Sequence, residues 1–196
     1  MGTQHSINWI SLLSNNEPTT LGNRIVETRS VFPRTTFDLG IFTTTYLNDK
    51  LSIDASAIYT YMGAHMETKT TVLHELGKFE GYENESVALD YVKIPVLLNF
   101  HMNPRAFVQF GGYGAFLISA ETFYPWNFSK SRENLTGINT FDAGIVGGVG
   151  FNTKICKLSL KYNLGLTDVL DEDPDRKFQN SVFQVVAQWK LYSDFR

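Results

Sequence analysis

Tyr91-Val92-Lys93-Ile94-Pro95-Val96-Leu97-Leu98-Asn99-Phe100 puts Val92, Ile94, Val96, Leu98 and Phe100 on one side of an extended chain. Tyr91, Lys93, Pro95, Leu97 and Asn99 fall on the other side, so the segment reads as a strand between two different environments. After Met102-Asn103-Pro104-Arg105 the alternation resumes with Val108, Phe110, Gly112, Gly114, Phe116 and Ile118, which makes a hairpin. Upstream, Phe37, Leu39, Ile41 and Thr43 lead through a tight Leu47-Asn48-Asp49-Lys50 turn into Leu51, Ile53, Ala55, Ala57 and Tyr59. Downstream, Phe141, Ala143, Ile145, Gly147, Val149 and Phe151 pass through Asn152 to Lys157 into Leu158, Leu160, Tyr162, Leu164 and Leu166. Phe183, Val185, Ala187, Trp189 and Leu191 form a last strand, and Ser6 to Leu13 supply a first, with Ile7, Trp9 and Ser11 on one face. The sum is about eight strands, an allowed number for a small closed barrel. No period-3.6 pattern competes.

The composition narrows the setting. The 196 residues carry 43% hydrophobic, 14% aromatic and only 19% charged side chains, which excludes disorder and permits an apolar outer surface. The longest apolar runs, Ile94 to Phe100 and Ala143 to Phe151, fall far short of the ~18 residues of a spanning helix, so only a closed barrel of strands can cross a bilayer. With a net charge of −3 and no basic patch, nucleic acid is not an expected partner. Cys156 is alone and cannot form an intrachain disulfide. The opening Met-Gly-Thr-Gln-His has neither basic nor apolar signal regions, and reads as an unexported protein or as a mature form with its signal removed and a Met added.

Connection lengths alternate. Roughly twenty residues follow strand one, about four follow strand two, and long and short connections then take turns to the end, against hairpin loops of about 2–5. All long connections therefore lie at one end. Short turns and both termini share the other, the arrangement of outer-membrane barrels with short turns in the periplasm. The apolar face gathers Phe37, Leu39, Ile53, Ile94, Leu98, Phe110, Phe116, Ile145, Phe151, Leu160, Leu164, Val185, Trp189 and Leu191. The opposite face gathers Asp38, Asp54, Lys93, Gln109, Asp142, Lys161, Asn163, Gln184, Gln188 and Lys190. Placing those charges in an apolar ligand cavity would strand them at several kcal/mol each, so they are predicted to fill the lumen while the apolar face meets lipid. Tyr59, Tyr61, Phe123, Tyr124 and Trp126 near one end, with Tyr46, Phe107, Trp189, Tyr192 and Phe195 near the other, suit two interfacial girdles. The expected fold is all-β, an eight-stranded antiparallel up-and-down transmembrane β-barrel formed as one domain over residues 1–196.

Leu89-Asp90-Tyr91-Val92-Lys93-Ile94-Pro95-Val96-Leu97-Leu98-Asn99-Phe100 also resembles the Tyr-x-x-Ile-Pro strand of the porin-like, PorT-type outer-membrane barrels common in Bacteroidetes. Gly111 to Leu117 is similar to that family's Gly-x-Tyr strand, Phe141 to Phe151 to its Asp-x-Gly strand, and Leu160 to Asp168 to its Tyr-x-x-Gly-Leu-Thr strand. The likeness runs from about Phe37 to the C-terminus and is looser over Ile7 to Ser11; the Phe195-Arg196 ending departs from the usual final aromatic. The resemblance implies an eight-stranded integral barrel in the bacterial outer membrane; both termini are expected in the periplasm from the connection lengths, with lipid and lipopolysaccharide around the barrel. Most members of such a family have no settled biochemical role.

Chemistry-bearing residues are sparse. His65 and His74, with Glu67 and Glu75 nearby, fall in the second long connection and His101 beside a short turn, without an obvious serine partner for a lipid-modifying hydrolase or acyltransferase. The same four loop residues match no standard metal spacing. Asp171, Asp173 and Asp175 alternate as at the start of a calcium loop, but position six is Arg176 and position twelve Val182, which leaves loose divalent-cation binding against a plain acidic loop. Gly111, Gly112, Gly114, Gly144, Gly147, Gly148 and Gly150 lie inside strands, where they serve curvature and packing. No cofactor is expected. The inward Lys93, Lys161 and Lys190 against Asp38, Asp54 and Asp142 form either a narrow ion path or a neutralising plug, and eight strands enclose room only for side chains. The expected function is a non-enzymatic binding or structural component of an envelope complex that displays long loops, with Phe123, Tyr124, Trp126 and Phe128 as its partner-binding segment. A lipid-modifying enzyme, a narrow ion or small-solute channel and a soluble lipocalin-like barrel are the alternatives.

Overall fold

A computed structural model describes residues 1–14, 19–21, 24–32, 34–74, 77–123, 133–134, 139–168 and 178–191. Every described strand joins one antiparallel sheet. The barrel wall consists of β1 (Gly2–Ser14), β4 (Arg34–Tyr46), β5 (Leu51–His74), β6 (Gly77–His101), β7 (Ala106–Phe123), β9 (Phe141–Asn152), β10 (Cys156–Gly165) and β11 (Phe178–Lys190). Consecutive wall strands are neighbours in the wall, and β1 pairs with β11, which closes the ring. This is the expected eight-stranded barrel. Three further strands, β2 (Thr19–Leu21), β3 (Arg24–Phe32) and β8 (Glu133–Asn134), lie beyond it at the end opposite the short turns.

Side-chain alternation follows the predicted faces. Phe37, Leu39, Ile94, Leu98, Phe110, Phe116, Ile145, Phe151, Leu160 and Trp189 are all exposed, while Asp38, Asp54, Lys93, Asp142 and Lys161 are buried. An apolar exterior around a charged interior inverts the usual arrangement and requires lipid outside. The short turns are held by asparagine side chains: Asn48 Oδ1 accepts from the amides of Lys50 and Leu51, and Asn103 Oδ1 from those of Arg105 and Ala106.

Three expectations are corrected. The second long connection is mostly strand, because β5 and β6 stay paired from Leu51↔Phe100 up to His74↔Gly77. A search for apolar faces misses this stretch, since beyond the bilayer a ladder needs no apolar side; Thr68, Thr70, Thr71 and Val72 give it β-branched residues instead. Phe107 is not in a girdle but fully buried in the lumen, with Lys157 Nζ 4.3 Å from its ring centroid. Gly150 makes room for it: a Cβ there would stand 2.0 Å from Phe107 Cζ. The third turn is also shorter than read, so that Lys157 is the second residue of β10 and faces inward.

Candidate functional site

The lumen is a set of hydrogen-bonded carboxylates. Asp38 accepts from Ser6 Oγ (2.8 Å), Asn8 Nδ2 (2.5 Å), Thr60 Oγ1 (2.5 Å) and Gln184 Nε2 (3.0 Å), which ties four strands together, with no cation in direct contact among the described residues. Gln184 also donates to Asn8 Oδ1 at 2.8 Å and accepts from Asn163 Nδ2 at 2.8 Å; Asn163 Oδ1 in turn takes a hydrogen bond from Lys93 Nζ at 2.9 Å. Lys93 rests 4.0 Å from the Tyr113 ring centroid, so its ammonium is held by one amide and one aromatic face. Nearer the loop end, Asp142 accepts from Tyr113 Oη (3.1 Å), Asn180 Nδ2 (2.9 Å) and Thr167 Oγ1 (2.6 Å).

Nearer the short turns, Asp54 forms an ion pair with Lys157 and accepts from Thr44 Oγ1 at 2.7 Å. Lys161 is equally buried yet makes no hydrogen bond to a described protein group, and Asp54 is the strongest opposite charge acting on it. Gln188 Nε2 donates to Gln4 Oε1 at 2.8 Å. Among the described residues the buried acids Asp38, Asp54 and Asp142 meet the buried bases Lys93, Lys157 and Lys161, so the formal sum is zero. Above and between these polar groups lies an apolar cluster that includes Ile10, Met62, Leu89, Tyr91 and Val182. The register sets Ile10 opposite Val182 and Met62 opposite Leu89, so apolar side chains reach inward from four strands toward the loop end.

Most sequence-predicted lumen residues fall into this network; besides Lys161, two differ. Lys190 is half-buried at the turn end and donates to the carbonyl of Thr153 at 3.3 Å instead of to a lumen acid. Gln109 is buried, but neither of its amide atoms bonds a described protein group. Sequence reasoning missed Lys157, Asn8 and Thr60; the parity of their strands was the signal that would have found them. His101 does have a serine partner, Ser52 Oγ, at 2.9 Å, and Ser52 also accepts from Asn99 Nδ2 at 3.1 Å. Ser52 is fully buried, so this pair forms part of the barrel floor instead of an open nucleophile site.

The second notable region is the sheet that rises past the barrel. There β3 pairs with the upper part of β5, and β5 with β6. The backbones of His65 and His74, nine residues apart on one strand, are about 30 Å apart, so β5 does not bring these two candidates together. On β6, Glu80 is bound by Lys78 Nζ (2.7 Å), Lys69 Nζ (3.1 Å) and Tyr82 Oη (3.1 Å). These contacts, Lys78 foremost, hold its carboxyl down to about 2, and Glu80 in turn raises the pKa of Lys69. Phe79 and Tyr82 are exposed beside this cluster, and among the described residues positions 77–85 pair on one side only, with β5. Tyr124, Trp126, Phe128, Glu75, Asp171, Asp173, Asp175, Tyr192 and Phe195 lie outside the described residues, as does the side chain of Phe123.

The family comparison agrees with this architecture. Residues 5–171 match the model of the outer membrane protein beta-barrel domain. No curated protein matches the chain. Among solved structures, the chain is similar to Ail, the attachment invasion locus protein of Yersinia pestis, at 11% identity and a TM-score of 0.44, over 96% of this chain and 97% of that one. It is also similar to OprG from Pseudomonas aeruginosa at 11% identity and a TM-score of 0.39, over 96% and 93%. The NanC porin matches at 8% identity and a TM-score of 0.34, over 96% and 100%.

Proposed function

The chain belongs to the outer membrane protein beta-barrel family and is an integral protein of the bacterial outer membrane, and from that premise we propose that it is a non-enzymatic binding or structural component of the cell envelope. The observation that carries this reading is the length of β5 and β6. They have 24 and 25 residues, where a tilted membrane strand needs about 9–11, so roughly half of each stands clear of the bilayer. Among the described residues positions 77–85 form a strand edge bearing Phe79 and Tyr82, which offers backbone donors and acceptors together with aromatic anchors, the chemistry by which an extended segment of another envelope protein adds to a sheet. The Phe123, Tyr124, Trp126 and Phe128 segment follows β7 at the same end and belongs to the same proposed surface.

In this reading the short turns and both termini face the periplasm, and the projecting sheet faces outward through lipopolysaccharide. The Tyr91-x-x-Ile94-Pro95 strand and its three companion segments support the finer assignment to the PorT-type barrels of Bacteroidetes. A neutral lumen with an apolar cluster toward the loop end favours a wall over a channel. The partner is a protein of the envelope; lipid surrounds the barrel, and no cofactor or nucleic acid is involved. The test is co-purification from native membranes with Phe79→Ser/Tyr82→Ser. Those residues face solvent on the projecting sheet, so the barrel should still shift on a gel when unheated while partner recovery falls. Unchanged recovery refutes this surface.

A further inference from the structure

At the turn end of the wall, a cavity of about 440 Å³ is bordered by Arg105, Lys154 and Lys190, and among the described residues none that lines it is acidic. Its cations sit on constrained backbone. The amide of Asn152 donates to the carbonyl of Arg105 at 2.6 Å and joins two turns, Thr153 Oγ1 bonds the amide and carbonyl of Cys156, and Lys190 reaches the carbonyl of Thr153. Phe151 lines this cavity and also a second one of about 500 Å³ on the outer wall, with Val149, Leu158, Leu160 and Val185. All five of these apolar side chains face outward, where lipid lies. The surface therefore presents fixed positive charge at one end and a continuous apolar groove at the other, with a single phenylalanine between them.

We propose that this is a binding site for an anionic glycerophospholipid, its phosphate head among Arg105, Lys154 and Lys190 and an acyl chain in the groove past Phe151. Charge complementarity selects the head, since three cations, with no acid among the described lining residues, favour a net negative group over a zwitterion. The contiguous apolar groove selects an amphiphile over free phosphate. Choosing phospholipid over lipopolysaccharide rests on the reading that the short turns lie in the periplasmic leaflet.

The test uses the purified full chain, delipidated in detergent and analysed by native mass spectrometry. Phosphatidylglycerol and phosphatidylethanolamine of identical chains are offered together, and inorganic phosphate separately. Phosphatidylglycerol is expected to be retained preferentially. Arg105→Gln/Lys154→Gln should lower that preference about tenfold or more, at roughly fivefold per cation near a headgroup. Val149→Trp, or Leu160→Trp as a second groove variant, should displace both lipids; each alters a lipid-facing side chain, and gel mobility without heating verifies folding. Equal retention of the two lipids overturns the proposal. So does full competition by inorganic phosphate with no effect of the groove variants, which identifies a simple anion site. Binding in detergent does not depend on which leaflet holds the turn end, so an error in topology leaves it intact and changes only the lipid found in cells.

Discussion

Replacing either partner of the Asp54–Lys157 pair should destabilise the barrel, and unequally. Their side chains are only 2% and 4% exposed, so each removed partner leaves an ionised or polar group that water cannot reach. Loss of one member of such a pair costs about 3–5 kcal/mol. Asp54→Asn should show the full cost, because Lys157 is then left near Lys161 and Lys190 with no acid in contact. Lys157→Met should cost less, about 1–2 kcal/mol, because Asp54 keeps the Thr44 hydroxyl and attracts Lys161, whose ammonium has no bond to a described protein group to give up. Lys157→Met/Lys161→Met removes that substitute and should return the loss to about 3–5 kcal/mol. Asp54→Asn/Lys157→Met, with both charges gone, should lie within about 1–2 kcal/mol of the parent, so the cycle shows strong coupling. The assay is equilibrium urea unfolding in lipid or detergent, followed by tryptophan fluorescence, with gel mobility as the folding check. A stability of Asp54→Asn within about 0.5 kcal/mol of the parent, or a double variant that costs the sum of the singles, refutes a buried, mutually dependent pair.

Two further outcomes follow from local geometry. Gly150→Ala puts a Cβ against the buried Phe107 ring and should cost about 1–3 kcal/mol in the same unfolding assay. Gly147→Ala, on the outward side of the same strand with nothing within 4 Å, should be nearly neutral, and equal effects would undo the packing argument. Glu80 is ionised more readily in the folded sheet than its ordinary value of 4.5, so its contribution is fully present above that pH and is lost only as the pH falls through about 2. Carbon-13 NMR of its carboxyl should therefore show no titration between pH 6 and about 3.5, where an unrestrained glutamate is largely protonated. Titration near 4.5 would mean that the Lys69–Glu80–Lys78 cluster does not hold in solution.

Strand parity explains what was legible in the sequence. Once Lys93 and Asn99 stand on one side of a strand and Ile94 and Leu98 on the other, the inside and outside of the wall are decided, and Asp38, Asp54, Asp142 and Lys161 fall in place on the same rule. Partners across the lumen follow a different geometry. Asp54 and Lys157 are 103 residues apart, and which acid a lysine reaches depends on the stagger of strands around the ring, which no local pattern records. Phe107 was misread for a related reason: its inward position became tenable only because Gly150, on the neighbouring strand, has no side chain. The β5–β6 extension was hidden because it lies beyond the bilayer, where the polar-apolar contrast that marks the wall disappears.

The distribution of charge argues that this barrel's wall and its ends have separate tasks. Among the described residues of the lumen three acids and three bases cancel, their carboxylate oxygens are already occupied by neighbouring donors, and the apolar residues toward the loop end would have to be hydrated before an ion could pass. A transported ion would have to displace hydrogen bonds such as the four that Asp38 accepts, each of which also joins strands of the wall. The groups that stabilise the fold are thus the same groups that a conducting path would need to free. At the ends that conflict is absent: Arg105, Lys154, Phe79 and Tyr82 are attached to a rigid wall without being required to close it. The proposed recognition of lipid at one end and of protein at the other can therefore change by substitution there without loss of the contacts that close the barrel.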